Sequence, residues 1–502
     1  MSMSDPSLPV AVIGGGPVGL AAAAHLVVRG ETPLVLEAGT ALGASLRQWR
    51  HVRFFSPWKY TVDAASVALL EPTGWTLPDP EATPTGAEIV ERYLEPLAAL
   101  PQIASHVRLN TRVIAIARRG HDKMKTPGRE HAPFVLRVAC PDGTEDLIVA
   151  RAVIDASGTW RTPNPLGADG LPAIGEAAAA DRIFSGIPDV LGAERERYAG
   201  KRVLVVGSGH SAFNVLLDLA ELAQQEPRTQ LTWAVRRREV GQLFGGEAND
   251  ALPERGRLGT RTRQLVENGD VRFMSIRIAE VRRAGAGLLV IGEDGETLGP
   301  VDEIVCVTGF RPDLSLTREL RLNLDPAVEA PSALAPLIDP NVHSCGSVPP
   351  HGAEELRHPE PDFYTVGMKS YGRAPTFLLL TGYEQVRSVV AALAGDWDAA
   401  RKVELVLPET GVCSTDLSQS DATSCCGPSA GDSAPPTLAK DALLLPVLDR
   451  AAPVGVPTVE PVGGSAAACC STDEQTTCCE PSDKAACCGA SEPHPVPTCA
   501  CR

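Results

Sequence analysis

The sequence predicts an α/β fold built on two parallel-sheet nucleotide-binding domains, and three observations carry that prediction. A short apolar run at residues 10–13 enters the turn Gly14-Gly15-Gly16-Pro17-Val18-Gly19 and then a helix-forming stretch at 20–29. A second run at 202–206 enters Gly207-Ser208-Gly209-His210-Ser211-Ala212 and a helical stretch at 213–225. Two further strand-like segments end in small-residue turns followed by proline, at Ser157-Gly158-Thr159 before Pro163 and at Thr308-Gly309 before Pro312. These ends echo one another, so the chain is expected to leave the first domain at the former and return to it at the latter.

The first turn has the chemistry of a dinucleotide seat. Gly14 permits the tight bend, Gly16 lets the main chain approach a pyrophosphate, and Gly19 lets helix and strand pack closely. Free N–H groups at the helix start then face the phosphates. The next strand, 33–36, ends in Glu37, an acceptor placed for adenosine ribose hydroxyls. Beyond it lie Trp49, Phe54, Phe55 and Trp58, which either wall a planar cofactor ring or are the buried aromatics of a surface loop. A helix is expected over 87–100, from the spacing of Ile89, Val90, Tyr93, Leu94 and Leu97, with its cap at or beside Thr85. Segments 107–117, 134–139 and 147–154 are rich in β-branched residues and separated by Gly, Pro and Asp, so each is expected as a strand.

In the second turn Ala212 stands at the third glycine position, where a methyl group still permits close packing. The strand that follows, 231–235, ends not in an acid but in Arg236-Arg237-Arg238, and guanidinium groups there suit the 2′-phosphate that distinguishes NADP from NAD. His210 has no partner visible in sequence and reads as a structural hydrogen-bonding residue. After a strand at 301–307, the segment 363–375 carries Gly367 ahead of a helix expected over 384–393, a setting that allows close main-chain approach to a ligand. Ser157, Gly158 and Gly367 therefore join Trp49 as candidate cofactor contacts.

One acid-tipped and one arginine-tipped turn imply two different dinucleotides. FAD in the first and NADPH in the second is the economical pair, because a flavin accepts hydride from a nicotinamide. The expected fold is thus α/β with two Rossmann-like domains. An NADPH domain at 166–304 is inserted in an FAD domain at 1–165 and 305–411, and a Cys-rich tail follows at 412–502.

Of the 14 cysteines only Cys140, Cys306 and Cys345 precede Cys413. The tail around the others is rich in Ser, Pro, Ala, Gly and acids, a composition that cannot bury enough apolar surface to fold alone, so disorder is expected. Its adjacent pairs are Cys425-Cys426, Cys469-Cys470, Cys478-Cys479 and Cys487-Cys488, followed by Cys499 and Cys501. The last three pairs repeat every nine residues (478 − 469 = 487 − 478 = 9). Thiolates favour Cu(I), Zn(II), trivalent arsenic or Hg(II), so the pairs are candidate ligands for a soft metal or metalloid; a low-complexity tail with incidental cysteines is the plain alternative. The formal net charge of −16 argues against a general nucleic-acid or anionic-membrane binder. No apolar run is long enough to span a bilayer and no basic segment precedes the first hydrophobic stretch, so a cytoplasmic location is expected.

With both turns in place the chain resembles the two-dinucleotide-binding-domain flavoproteins over residues 9–396. Ser56-Pro57-Trp58, Arg311-Pro312-Asp313 and Lys369-Ser370-Tyr371-Gly372-Arg373-Ala374-Pro375 look most like the flavin monooxygenase-like proteins of arsenic-resistance operons. The resemblance implies Gly14, Gly16, Gly19 and Glu37 on FAD, and Gly207, Gly209, Ser211 and Arg237 on NADPH. It departs from the F-x-G-x-x-x-H pattern of class B monooxygenases, since Phe184 and Gly186 are followed by Val190 where histidine would stand. The implied activity is NADPH-dependent flavin monooxygenation of a soft sulfur, nitrogen or arsenic centre in a small molecule. Two alternatives stand beside it: a reductase passing electrons to tail thiols or thiol-bound metal, and a metal-sequestering protein with a flavin scaffold.

Overall fold

A computed structural model describes residues 5–236, 243–245, 250, 252–342, 348–375 and 377–405. The chain divides into a unit of Met1–Asp421 and a second of Ala422–Arg502, and every described residue lies in the first. Within it stand two five-stranded parallel sheets. The first runs in the order Phe363–Thr365, Ala152–Asp155, Val10–Ile13, Pro33–Leu36, Val107–Arg108. The second runs Arg272–Ser275, Gln230–Val235, Arg202–Val206, Glu303–Cys306, Ile183–Ser185. All strands of the second sheet therefore fall, in sequence, between the fourth and fifth strands of the first.

Strand alternation explains why both sheets are covered on both faces, as parallel sheets demand. Val10 and Val12 point into a core with the helices Pro17–Val28 and Leu379–Leu393, while Ala11 and Ile13 point into another built with Ile116, Phe134, Leu136 and Val138. The latter come from an antiparallel ribbon, Arg112–Arg118, Phe134–Ala139 and Glu145–Ala150. The second sheet repeats the scheme. Val203 and Val205 face a core with the helix His210–Gln225, and Leu204 and Val206 face the ribbon Ile278–Ala284, Gly287–Gly292 and Thr297–Val301. Val190, at the position expected for histidine in class B monooxygenases, is fully buried among the apolar side chains of the first of these two cores.

Five expectations need correction. The strand expected over 301–307 breaks at Asp302, which holds Arg202, so Val301 ends the second antiparallel ribbon and Glu303–Cys306 enters the second sheet. The run 107–117 is two strands in two sheets, because Asn110 takes a left-handed backbone (φ 53°) and its amide turns to the carbonyl of Gly39. Likewise 147–154 breaks at Arg151, whose amide reaches Pro9 and whose side chain pairs with Glu31. The helix expected over 87–100 spans Gly86–Ala98, capped by a reciprocal Thr85–Glu88 box, but Val90–Leu94 is wound as a π-helix. The C-terminal helix also starts earlier than 384, at Leu379. No helix among the described residues is long and apolar enough to cross a membrane.

Candidate cofactor sites

Both glycine turns sit at the C-terminal ends of central strands, where open α/β sheets bind ligands. In the first, Gly14 has φ +102°, and a Cβ there would come 2.7 Å from the carbonyl oxygen of Ala156. A Cβ on Gly19 would lie 1.9 Å from the Gly14 oxygen, so the helix Pro17–Val28 packs on the turn as closely as backbone allows. Gly16 differs: a Cβ there meets no protein atom within 4 Å, and it caps the helix with no side-chain hydrogen bond. The helix N-terminus is thus left open to an anion.

Glu37 is buried at the tip of the second strand. Its Oε2 accepts from the Gly15 amide at 2.7 Å and its Oε1 from the Gly39 amide at 2.6 Å. The carboxylate therefore holds the glycine turn in shape while each oxygen keeps a lone pair for a further donor. Opposite it, Ser157 donates from its amide and Oγ to Asp155 Oδ1, at 3.1 and 2.6 Å, and Gly158 (φ +68°) opens onto free space. Gly367 (φ +69°) packs against Val18 of the first helical turn, and its amide donates to Gln385 Oε1 at 2.7 Å. Gln385 Nε2 in turn donates to Ser370 Oγ and to His351 Nε2, both at 2.9 Å, and burial pushes the His351 imidazole below its ordinary pKa.

The second turn repeats the geometry. Gly207 has φ +140°, and a Cβ would lie 2.3 Å from the carbonyl oxygen of Val307. The Trp233 indole N–H clamps the Gly207 carbonyl at 2.7 Å. Gly209 caps the helix His210–Gln225 without a side-chain bond, and a Cβ on it also meets nothing within 4 Å. Ser211 is half-buried in the first helical turn, and Ala212 is fully buried. Arg236 is exposed at the strand tip and its Nη1 donates to the carbonyl of Ala168 at 2.9 Å. Arg237 lies outside the described residues. The His210 imidazole lies between Phe55, tilted at 51°, and Phe213, met edge-on at 77°, and burial, helped by the Arg255 guanidinium, pushes its pKa down to about 4.

The stretch after the second strand joins the two turns. Trp49 packs against Phe54 (5.3 Å between ring centroids) and Trp160 (6.1 Å), and Trp160 packs on Phe310 at 4.8 Å with the rings tilted by 30°, while donating to Gln48 Oε1 at 2.8 Å. Val52 is buried in the second sheet's core beside Val203 and Phe213. Trp49 touches both cores.

Trp160, Phe310 and Lys369 are functional candidates that pattern reading missed. Lys369 is buried and its Nζ donates to Asp155 Oδ2 at 2.7 Å and Ser157 Oγ at 3.0 Å, partners more than 200 positions away. Its run of sequence carries the family resemblance, but nothing local marks a lysine as buried. Among the described residues no His, Cys, Asp and Glu cluster could hold a metal, and the cysteines described are Cys140 and Cys306, both free. The tail pairs from Cys425 to Cys501 lie outside the described residues.

Comparison with known proteins agrees with this geometry. A 215-residue stretch is 30% identical to the indole-3-pyruvate monooxygenase YUCCA1 of Oryza sativa, covering 41% of this chain and 44% of that one. A 223-residue stretch is 23% identical to a ferredoxin–NADP reductase of Streptococcus pyogenes, covering 44% and 54%. The chain thus spans about half the length of the curated relatives it matches. The bacillithiol disulfide reductase of Bacillus cereus shares the fold at a TM-score of 0.55 and 18% identity, over 77% of this chain and 99% of that one. The model of the pyridine nucleotide-disulphide oxidoreductases matches residues 11–332. Matched over more than half its length, the chain belongs to the pyridine nucleotide-disulphide oxidoreductase family.

Proposed function

We propose that the protein is an NADPH-dependent flavin monooxygenase acting on a soft sulfur, nitrogen or arsenic centre of a small molecule. The second sheet would be an NADPH domain inserted into the FAD domain. The observation that carries the reading is the pair of uncapped helix starts, each fronted by a glycine with open space before it, tied together by one aromatic segment. FAD, when bound, accepts hydride from the nicotinamide and delivers electrons to oxygen. This chain's residues bind and orient: Gly14, Gly16, Gly19 and Glu37 hold the FAD turn, and Gly207, Gly209 and Ser211 the NADPH turn. Arg236, with Arg237 beside it in sequence, supplies charge for the 2′-phosphate. Trp49, Trp160 and Phe310 shield the space between. Similarity to a plant monooxygenase and to an NADP reductase supports both halves of the proposal.

The test is cofactor and oxygen accounting on purified holoenzyme. NADPH should be consumed faster than NADH. One of a panel of thioethers, amines and trivalent arsenicals should accelerate consumption without matching release of peroxide, and its product should carry label from isotopic O₂. Protein that takes up no flavin, or oxidises neither nicotinamide, overturns the proposal. A second reading rests on the repeated cysteine pairs of the tail: electrons pass to tail thiols, or the pairs bind a soft metal or metalloid. Deleting 412–502 separates the two, because loss of NADPH oxidation assigns the tail as acceptor, whereas loss of metal binding alone assigns it to capture.

A further inference from the structure

We infer that Lys369 is a cofactor-contacting residue, donating a hydrogen bond from its ammonium to an oxygen of the flavin cofactor; this rests on the flavoprotein reading above. An ammonium has three N–H donors. Two are spent, on Asp155 Oδ2 at 2.7 Å and Ser157 Oγ at 3.0 Å. Ser157 Oγ gives its own proton to Asp155 Oδ1 and so stands free to accept. The third donor has no protein acceptor among the described residues, yet Lys369 is only 2% exposed and Asp155 fully buried. Buried donors in folded proteins are almost always satisfied, and water from bulk does not reach this one readily.

Where the group sits says what would satisfy it. A Cβ on Gly14 would lie 3.1 Å from the Ser157 Cα, so Lys369's hydroxyl partner abuts the first glycine of the turn. Two residues before the lysine, a Cβ on Gly367 would lie 3.3 Å from the Val18 side chain, in the first turn of the helix the pyrophosphate would face. Lys369 is therefore flanked on both sides by the walls of the FAD seat. Its turn is rigid as well: Gln385 clamps the Gly367 amide and the Ser370 hydroxyl, and Ser370 Oγ donates back to the Gly367 carbonyl at 2.8 Å. A donor held still before the ligand arrives loses little entropy in binding it. Because Asp155 balances the charge, the effect is a directed hydrogen bond rather than a long-range field.

The test separates a contact from mere scaffolding. The double variant Lys369→Met with Asp155→Asn removes the donor without stranding a buried ion. FAD affinity of the apoprotein is read by flavin fluorescence and folding by thermal melting without cofactor. The expected result is a melt close to wild type and FAD binding weaker by about tenfold to a hundredfold, the range for one charge-assisted hydrogen bond. Unchanged FAD affinity overturns the inference. Asp155→Asn alone keeps the lysine, and it should bind FAD as well as wild type or better; a loss equal to that of the double variant assigns the effect to the carboxylate and overturns the inference too. If the double variant does not fold, folded Asp155→Asn is judged against wild type alone, and FAD affinity weaker than wild type there overturns the inference. Wild-type apoprotein that never takes up FAD brings down the function with it, whereas wild type and double variant binding FAD equally sink the lysine alone.

Discussion

Gly209→Ala separates folding from cofactor binding. The native residue has φ −93°, which alanine adopts without strain, and its Cβ position meets no protein atom within 4 Å. Losing a glycine cap costs a few tenths to about 1 kcal/mol, and the lower entropy of the unfolded alanine chain returns about 0.4–1 kcal/mol, so stability should stay within about 1 kcal/mol of wild type. The methyl group would stand where the main chain must approach a pyrophosphate. Pushing the phosphates off the helix start forfeits its dipole, about 1 kcal/mol, and at least one charge-assisted hydrogen bond, about 2 kcal/mol. The sum of about 3 kcal/mol corresponds to roughly a hundredfold loss of NADPH affinity. The assay is NADPH titration beside urea unfolding and FAD content, both of which should be unchanged. Wild-type NADPH affinity in a folded Gly209→Ala protein refutes the assignment of this turn.

Two titratable groups yield further expectations. Glu360 is 1% exposed and accepts from Arg118 Nε at 2.8 Å, Arg129 Nη2 at 2.7 Å and the Arg321 amide at 3.0 Å. Burial would raise its pKa, but these donors win and hold it below the ordinary 4.5. Its stabilisation is thus present above that value and is lost as pH falls through the lower folded value. Glu360→Gln strands two buried guanidinium groups and should cost about 3–5 kcal/mol at neutral pH by urea unfolding, and a cost below 1 kcal/mol contradicts the assignment. His210 is held neutral down to about pH 4, so its contribution is complete above its ordinary 6.5 and drains away as pH falls from there towards 4. In His210→Gln the fall of melting temperature across that window should be shallower, and a fall as steep as in wild type refutes the buried-imidazole account.

What could be read from the chain was local. The glycine turns, the Thr85 cap and the paired strand faces depend on residues within a few positions of one another, and all stand where the pattern placed them. Strand boundaries failed where β-branched runs continued through a break. Asn110 is a residue type suited to the left-handed bend it makes, but a single Asn inside such a run is a weak signal, and Arg151 carries no turn chemistry at all; the carbonyls that divert their amides belong to Gly39 and Pro9. Side-chain roles that depend on long loops of sequence were invisible. Asp155 with Lys369, or Trp160 with Phe310, meet only because the chain departs after one strand and returns after the second sheet.

Val52 and its neighbouring rings belong to one lobe by covalent connection and to the other by packing. A gene fragment carrying only 166–307, which keeps the strand Glu303–Cys306 whole, would present a greasy notch in place of that valine and the indole beside it. Whoever grafts this lobe onto another protein, as a portable cassette, must bring 49–55 along or plug the hole by redesign.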